Sequence, residues 1–286
     1  MYKTTARYNM MSSEDTSSGR KVSFFASDLC VTDGTDIGTD QTASQVAEAS
    51  GVFNLDTGAV TYSQNIYEQI YPASTTKILT AYVALKYGDL SQQITVSENA
   101  VNQASDSSVC GLNAGDVMTL EQLLYGMMLK SGNDAAVAIA EGISGDIDSF
   151  AELMNQTAAE IGATHTHFVN PNGLHDSNHY TTVYDMYLMF QAALSNSSFE
   201  KIVTSSEYTV NYTNSLGEAQ TMDWTTTNRY LLGSETVPSG VTILGGKTGT
   251  TNPAGYCLVL YSQNELNQKI VSIVMKADCR RNLYYY

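Results

Sequence analysis

Hydrophobic periodicity begins near Ala49. Residues 1–45 are rich in Ser, Thr, Asp and Gly and show neither a helical nor a strand period, so they read as a tail or linker. The folded domain is expected at 46–286. Val52, Asn54, Val60 and Tyr62 flank Asp56-Thr57-Gly58, which is the composition of a hairpin turn. A helix opens at Pro72-Ala73-Ser74, carries Ile78, Leu79, Tyr82, Val83 and Leu85 on its apolar side, and stops at Gly88. Thr119 with Gln122 forms a capping-box start for a second helix through Lys130. Ser131-Gly132-Asn133 breaks it, and Asp134–Ile143 resumes as a third. Asp146 caps a fourth, with Phe150, Leu153, Met154, Ala158 and Ile161 along one face. Thr182–Leu194 reads as a fifth.

The last third of the chain turns β-rich. Glu207–Tyr212 and Ala219–Thr225 alternate around Asn214–Gly217 as a hairpin, followed by strands at Val241–Leu244, Gly255–Tyr261 and Lys269–Met275. With strands at both ends and helices between, the economical assembly is a mixed α/β (α+β) domain. Its antiparallel sheet would join the N-terminal hairpin to the C-terminal strands, with helices against it and a mostly helical subdomain.

Composition narrows the function. The 286 residues carry a formal net charge of −15, and residues 22–246 hold 25 acidic against 5 basic side chains. Such a field repels phosphate backbones and excludes nucleic acid as a partner. It also makes every lysine in that span conspicuous. No run of 18 or so apolar residues could cross a bilayer, and no secretory signal is visible, so membrane anchoring would need segments outside this chain. Cys30, Cys110, Cys257 and Cys279 lack the spacing of a metal or disulfide framework, and their pairing is left open. His165, His167, His175 and His179 fall within 15 residues, but Asp176-Ser177-Asn178 argues for a loop rather than a helical zinc site. No metal and no cofactor is called for.

Three strings carry candidate chemistry: Ser74-Thr75-Thr76-Lys77, Ser131-Gly132-Asn133 and Lys247-Thr248-Gly249. Ser-x-x-Lys also occurs at Ser18–Lys21 and Ser198–Lys201, but only Ser74 sits at the mouth of a strong amphipathic helix, with Lys77 over the same face. Backbone N–H groups at a helix start can stabilise an oxyanion. A serine hydroxyl needs a base to become a nucleophile. Lys77 could serve if its pKa were lowered; because the surrounding carboxylates favour the ammonium form, that needs burial together with Lys247 close by. The two lysines together would form a positive island in an acidic protein, suited to a carboxylate.

The three strings in this order are the motif set of β-lactamases and penicillin-binding proteins. Tyr71–Lys77, Leu129–Ala136 and Gly245–Thr250 closely resemble the low-molecular-weight penicillin-binding proteins, the serine D-alanyl-D-alanine carboxypeptidases. Asn54–Gly58, Phe168–Leu174 and Ala254–Tyr256 are also similar to that family. The likeness runs from about Ala49 to Leu283. It implies a β-lactamase/transpeptidase-like fold and an acyl-enzyme on Ser74, with Lys77 as base, Ser131 as proton relay and Asn133 holding Lys77 or the substrate. Lys247, Thr248, Gly249 and Thr250 would bind a peptidoglycan stem peptide ending in D-Ala-D-Ala, and β-lactam antibiotics would acylate the same serine. Arg280 or Arg281 would assist with the substrate carboxylate. The family's substrate implies an extracytoplasmic location in a bacterial envelope.

Departures define the alternatives. A β-lactamase needs a glutamate to activate the deacylating water, and the comparable stretch Phe168–His175 has none; Glu152–Asn155 is a partial match at the wrong distance. A non-catalytic penicillin- or wall-binding module of the same fold is the other reading. The family's terminal helix would continue past Tyr284-Tyr285-Tyr286, so that helix is expected to be truncated here.

Overall fold

The computed structural model describes residues 28–38 and 46–284. Its strands form two antiparallel sheets. Strands β1 (Ala47–Asn54), β2 (Ala59–Gln64), β7 (Val241–Thr251), β8 (Gly255–Asn264) and β9 (Lys269–Ala277) form a five-stranded sheet in the order β2-β1-β9-β8-β7. The N-terminal hairpin therefore joins the C-terminal strands as expected, through β1 pairing with β9 from Ala47↔Ala277 to Asn54↔Ile270.

The hairpin at 207–225 does not enter that sheet. Strands β5 (Glu207–Thr213) and β6 (Ala219–Thr225) pair with each other, and β5 joins two short paired strands, β3 (Gln93–Thr95) and β4 (Val117–Thr119), through β4 in a second sheet ordered β3-β4-β5-β6. Three-residue strands are too short to show a period of two, and both escape a reading based on alternation.

Helices pack against strands of both sheets. A single 3₁₀ turn, Ala73–Thr76, leads into α1 (Lys77–Tyr87), and Gly88 caps its end. α2 (Glu98–Val101) is one turn. α3 (Leu120–Leu129) starts in the predicted capping box, with Thr119 and Gln122 bonding each other's backbone N–H. α4 (Asn133–Ser144) and α5 (Ile147–Glu160) follow, the latter capped by Asp146. α6 (Val183–Leu194) is capped by Thr182, and α7 (Ser197–Val203) adds a short helix that the sequence pattern left unassigned. α1 packs against α3, α4, α5 and α6 and so lies at the centre of the helical layer. Its Ile78, Leu79, Ala81, Val83 and Ala84 are buried, each large side chain contributing about 1.5–3 kcal/mol of transfer free energy.

The tail assignment needs correction for residues 28–38. Cys30 is fully buried: its N–H donates to Tyr187 Oη at 2.8 Å, and its carbonyl accepts from Tyr184 Oη at 2.9 Å. Ile37 bridges to Ser63. Two apolar anchors in a polar stretch bind it across β1, β2 and α6, although composition alone gave no sign of order. The rest of the predicted tail lies outside the described residues. Cys30, Cys110, Cys257 and Cys279 are all free thiols.

Candidate active site

The 3₁₀ turn sets Ser74 and Lys77 one turn apart at the start of the central helix. Ala73, just before the serine, has φ 48°, a left-handed conformation that costs a residue with a Cβ about 1 kcal/mol or more. The surrounding backbone enforces it. A Cβ on Gly173 would lie 1.9 Å from the Ala73 carbonyl oxygen, so the 168–174 loop presses directly on this turn. On the other side a Cβ on Gly249 would sit 2.8 Å from the Ser74 nitrogen, so β7 runs equally close. Only glycine permits either approach.

Lys77 is completely buried, and its Nζ lies 3.0 Å from Ser74 Oγ, 2.8 Å from Asn133 Oδ1 and 2.7 Å from the Asn172 carbonyl. Two of these partners can only accept. A neutral amine has two N–H groups and one lone pair. With the N–H groups given to Asn133 and Asn172, the lone pair is left for Ser74, the one partner able to donate. Burial, and secondly the charge of Lys247, pushes the Lys77 pKa well below the ordinary lysine value, which favours that neutral form.

Lys247, on β7, is 1% exposed and reaches Ser131 Oγ at 2.9 Å and the Thr248 carbonyl at 2.8 Å. Burial brings its pKa down to about 7. The expected positive island is therefore weaker than two free lysines would make it: desolvation disfavours both ammonium forms, and the charge of Lys247 further disfavours that of Lys77. Ser131 is held at φ 59° between α3 and α4. Beneath it the buried Asp134 carboxylate accepts from the N–H groups of Cys110, Gly111, Leu112 and Ala135, and Asn133 N–H donates to the Ser108 carbonyl. These bonds tie the 108–112 segment under the serine.

The site opens into a cleft of about 470 Å³, lined among others by Ser74, Ser131, Thr248, Gly249, Thr250 and Arg280. Arg281 is exposed and is not among the lining residues, which separates two arginines that the sequence left equivalent. Glu152 is exposed on α5, and its neighbour Asn155 holds the backbone of Phe168 instead, at 2.7 and 2.8 Å. A serine hydroxyl against a buried amine, a second lysine beside another hydroxyl, and a cleft lined by Arg229 and Arg280 are parts suited to acyl transfer.

The family model for D-alanyl-D-alanine carboxypeptidases matches residues 37–279. The chain belongs to this family. The carboxypeptidase DacF of Bacillus subtilis is 34% identical over 238 residues, covering 81% of this chain and 58% of that protein. The carboxypeptidase of Streptomyces sp. strain K15 is 35% identical over 233 residues, 77% of this chain and 78% of the relative. The crystal structure of the Streptomyces K15 DD-transpeptidase superposes with a TM-score of 0.78 at 30% identity, covering 85% of this chain and 94% of that one. This chain thus spans little more than half of the Bacillus relative's length.

For a D-alanyl-D-alanine carboxypeptidase family member, three parts of the site went unnoticed as such in the sequence. Asn172 contributes a backbone carbonyl, which no side-chain pattern reveals. Thr227 Oγ1 sits 2.8 Å from Thr248 Oγ1 across the cleft wall. Asp134 directly follows Asn133, and its burial at a helix start is visible only in three dimensions. Among the described residues no helix is long and apolar enough to cross a membrane, and no cluster of three or more His, Cys, Asp or Glu could hold a metal ion.

Proposed function

We propose that the protein is a serine D-alanyl-D-alanine carboxypeptidase that removes the terminal D-alanine from peptidoglycan stem peptides. The observation that carries this reading is the 3.0 Å contact between Ser74 Oγ and a wholly buried Lys77 whose two other partners are pure acceptors. Neutral Lys77 takes the hydroxyl proton as Ser74 Oγ attacks the carbonyl carbon between the two D-alanines. The oxyanion is received by the backbone N–H groups of Ser74 and Thr250. Ser131, bonded to Lys247, relays to the departing amine the proton that Lys77 took; the C–N bond breaks, D-alanine leaves, and Lys77 is neutral again. Water then attacks the ester carbon, giving a proton to neutral Lys77, which returns it to Ser74 Oγ as the acyl C–O bond breaks. Asn133 keeps Lys77 oriented throughout.

The substrate's terminal carboxylate is bound by Lys247 with the Thr248 and Thr250 hydroxyls, and Arg280 adds charge at the cleft edge; Gly249 supplies the close backbone approach. Arg281 has no part in this reading. Penicillins, which present a carboxylate and a strained amide in a similar arrangement, acylate Ser74 and are released slowly. Such a substrate places the enzyme outside the bacterial cytoplasmic membrane.

Incubation with diacetyl-lysyl-D-alanyl-D-alanine, assayed for free D-alanine beside a Ser74→Ala control, tests this. Release that depends on Ser74 is expected. Labelling by a fluorescent penicillin without any D-alanine release would leave the chain a penicillin-binding module and end the hydrolase reading.

A further inference from the structure

His179 stood in the sequence as one of four loop histidines. The structure places it behind the nucleophile, 1% exposed and packed edge-on against Phe168 at 5.1 Å. Its two ring nitrogens have different partners. The N–H of Val169 donates to Nδ1 at 3.2 Å, so Nδ1 carries no proton. Nε2 then bears the hydrogen of the neutral ring and donates to Thr76 Oγ1 at 2.8 Å. Burial lowers its pKa to about 4, which keeps the ring in this form at neutral pH.

The two bonded residues belong to the two segments that must stay in register. Thr76 directly precedes Lys77 on the nucleophile turn. Val169 lies in the loop that delivers the Asn172 carbonyl to Lys77. The same loop is fixed at Phe168 by Asn155 and at Pro171, whose carbonyl accepts from Thr80 Oγ1 at 2.7 Å. Of these, the imidazole is the tie that reaches the residue next to the base.

We propose that His179 is a positioning residue for the general base: through Thr76 and Val169 it holds the Asn172 carbonyl against Lys77, and so keeps the Lys77 lone pair directed at Ser74. It touches neither substrate nor the reacting atoms. The proposal rests on the reading of Ser74 and Lys77 as nucleophile and base. An Nζ released from one of its two acceptors can turn an N–H toward Ser74 instead, and misorientation on the scale of an ångström costs up to about a hundredfold in rate.

The test is a double-mutant cycle on Thr76→Val and His179→Leu. It reads the first-order acylation rate at saturating fluorescent penicillin and the concentration giving half that rate, with thermal unfolding as a check on folding. Each single variant is expected to acylate about ten- to a hundredfold more slowly at an unchanged half-saturating concentration. The double variant should be no slower than the slower single one. His179→Gln, which keeps a donor at the Nε2 position, should recover part of the loss. Independent, multiplying effects in the double variant would overturn the proposal. So would wild-type rates in both singles, or a loss confined to the half-saturating concentration. If His179→Leu does not fold, Thr76→Ser against Thr76→Val decides: the hydroxyl-bearing variant should be near wild type and the isosteric valine slow, and equal rates would refute the role. Failure of the wild-type protein to label would overturn the underlying assignment of Ser74 and Lys77 as well, so the two failures are told apart.

Discussion

Replacing Lys247 by methionine removes a charge that the fold disfavours, and the pH dependence of the resulting stability is calculable. An unfolded lysine binds its proton up to about pH 10.5, whereas Lys247 in the folded protein holds its proton only to about 7. Between these values unfolding takes up a proton, so wild-type stability rises with pH across that window. At about 1.36 kcal/mol per pKa unit, the burial of Lys247 costs up to ~4 kcal/mol at pH 7 and ~2 kcal/mol at pH 9. Lys247→Met relieves this. It also abandons the bonds to Ser131 Oγ and the Thr248 carbonyl, a loss of about 1–3 kcal/mol that does not vary with pH. Lifting the repulsion on Lys77 adds a further gain that is largest at low pH. The expectation is therefore a variant without activity whose stability relative to wild type falls by about 2 kcal/mol between pH 7 and pH 9. Urea unfolding followed by the fluorescence of Trp224, the single tryptophan and 1% exposed, measures it. All other titrating groups are common to both proteins and largely cancel. A stability difference that is the same at both pH values would refute the claim that Lys247 loses its proton near neutrality.

Three further outcomes are expected. In the free enzyme kcat/KM for an anionic substrate should fall on the alkaline side with a pKa near 7 as Lys247 loses its charge; Lys247→Arg should shift that limb upward by more than about 2 pH units, because guanidinium stays protonated. Gly173→Ala, whose Cβ would meet the Ala73 carbonyl at φ +84°, should destabilise by about 2–4 kcal/mol and slow acylation of Ser74, read by thermal unfolding and penicillin labelling. Arg280→Ala should raise KM for the tripeptide about tenfold, equivalent to ~1.4 kcal/mol, while Arg281→Ala leaves it near wild type in the D-alanine release assay.

Local signals carried well from sequence to structure. The Thr119–Gln122 capping box, the Asp146 cap and the Gly88 stop depend on residues three or four apart, so short windows contain the whole interaction. Sheet partnership is decided by distant segments: outside its own hairpin β5 pairs with β4, a three-residue strand more than 90 positions away, which no short window contains. The order at 28–38 was hidden in the same way: Cys30 and Ile37 are only two anchors, and their partners Tyr187 and Ser63 lie far along the chain.

The sequence alone determined the chemical inventory: a serine and lysine one turn apart at a helix start, a serine and asparagine at a helix break, a Lys-Thr-Gly string, and too few other cations to compete with them. These follow from residue identity and near-neighbour spacing. The tertiary structure decided their state. Burial, which no spacing encodes, lowers the proton affinity of Lys77 and Lys247, and the charge of Lys247 lowers that of Lys77 further; a backbone carbonyl from the 168–174 loop holds the Lys77 amine; and Arg280 rather than Arg281 lines the cleft. Desolvation and orientation depend on what surrounds a side chain from every direction, and in this protein those surroundings come from segments far apart in the chain.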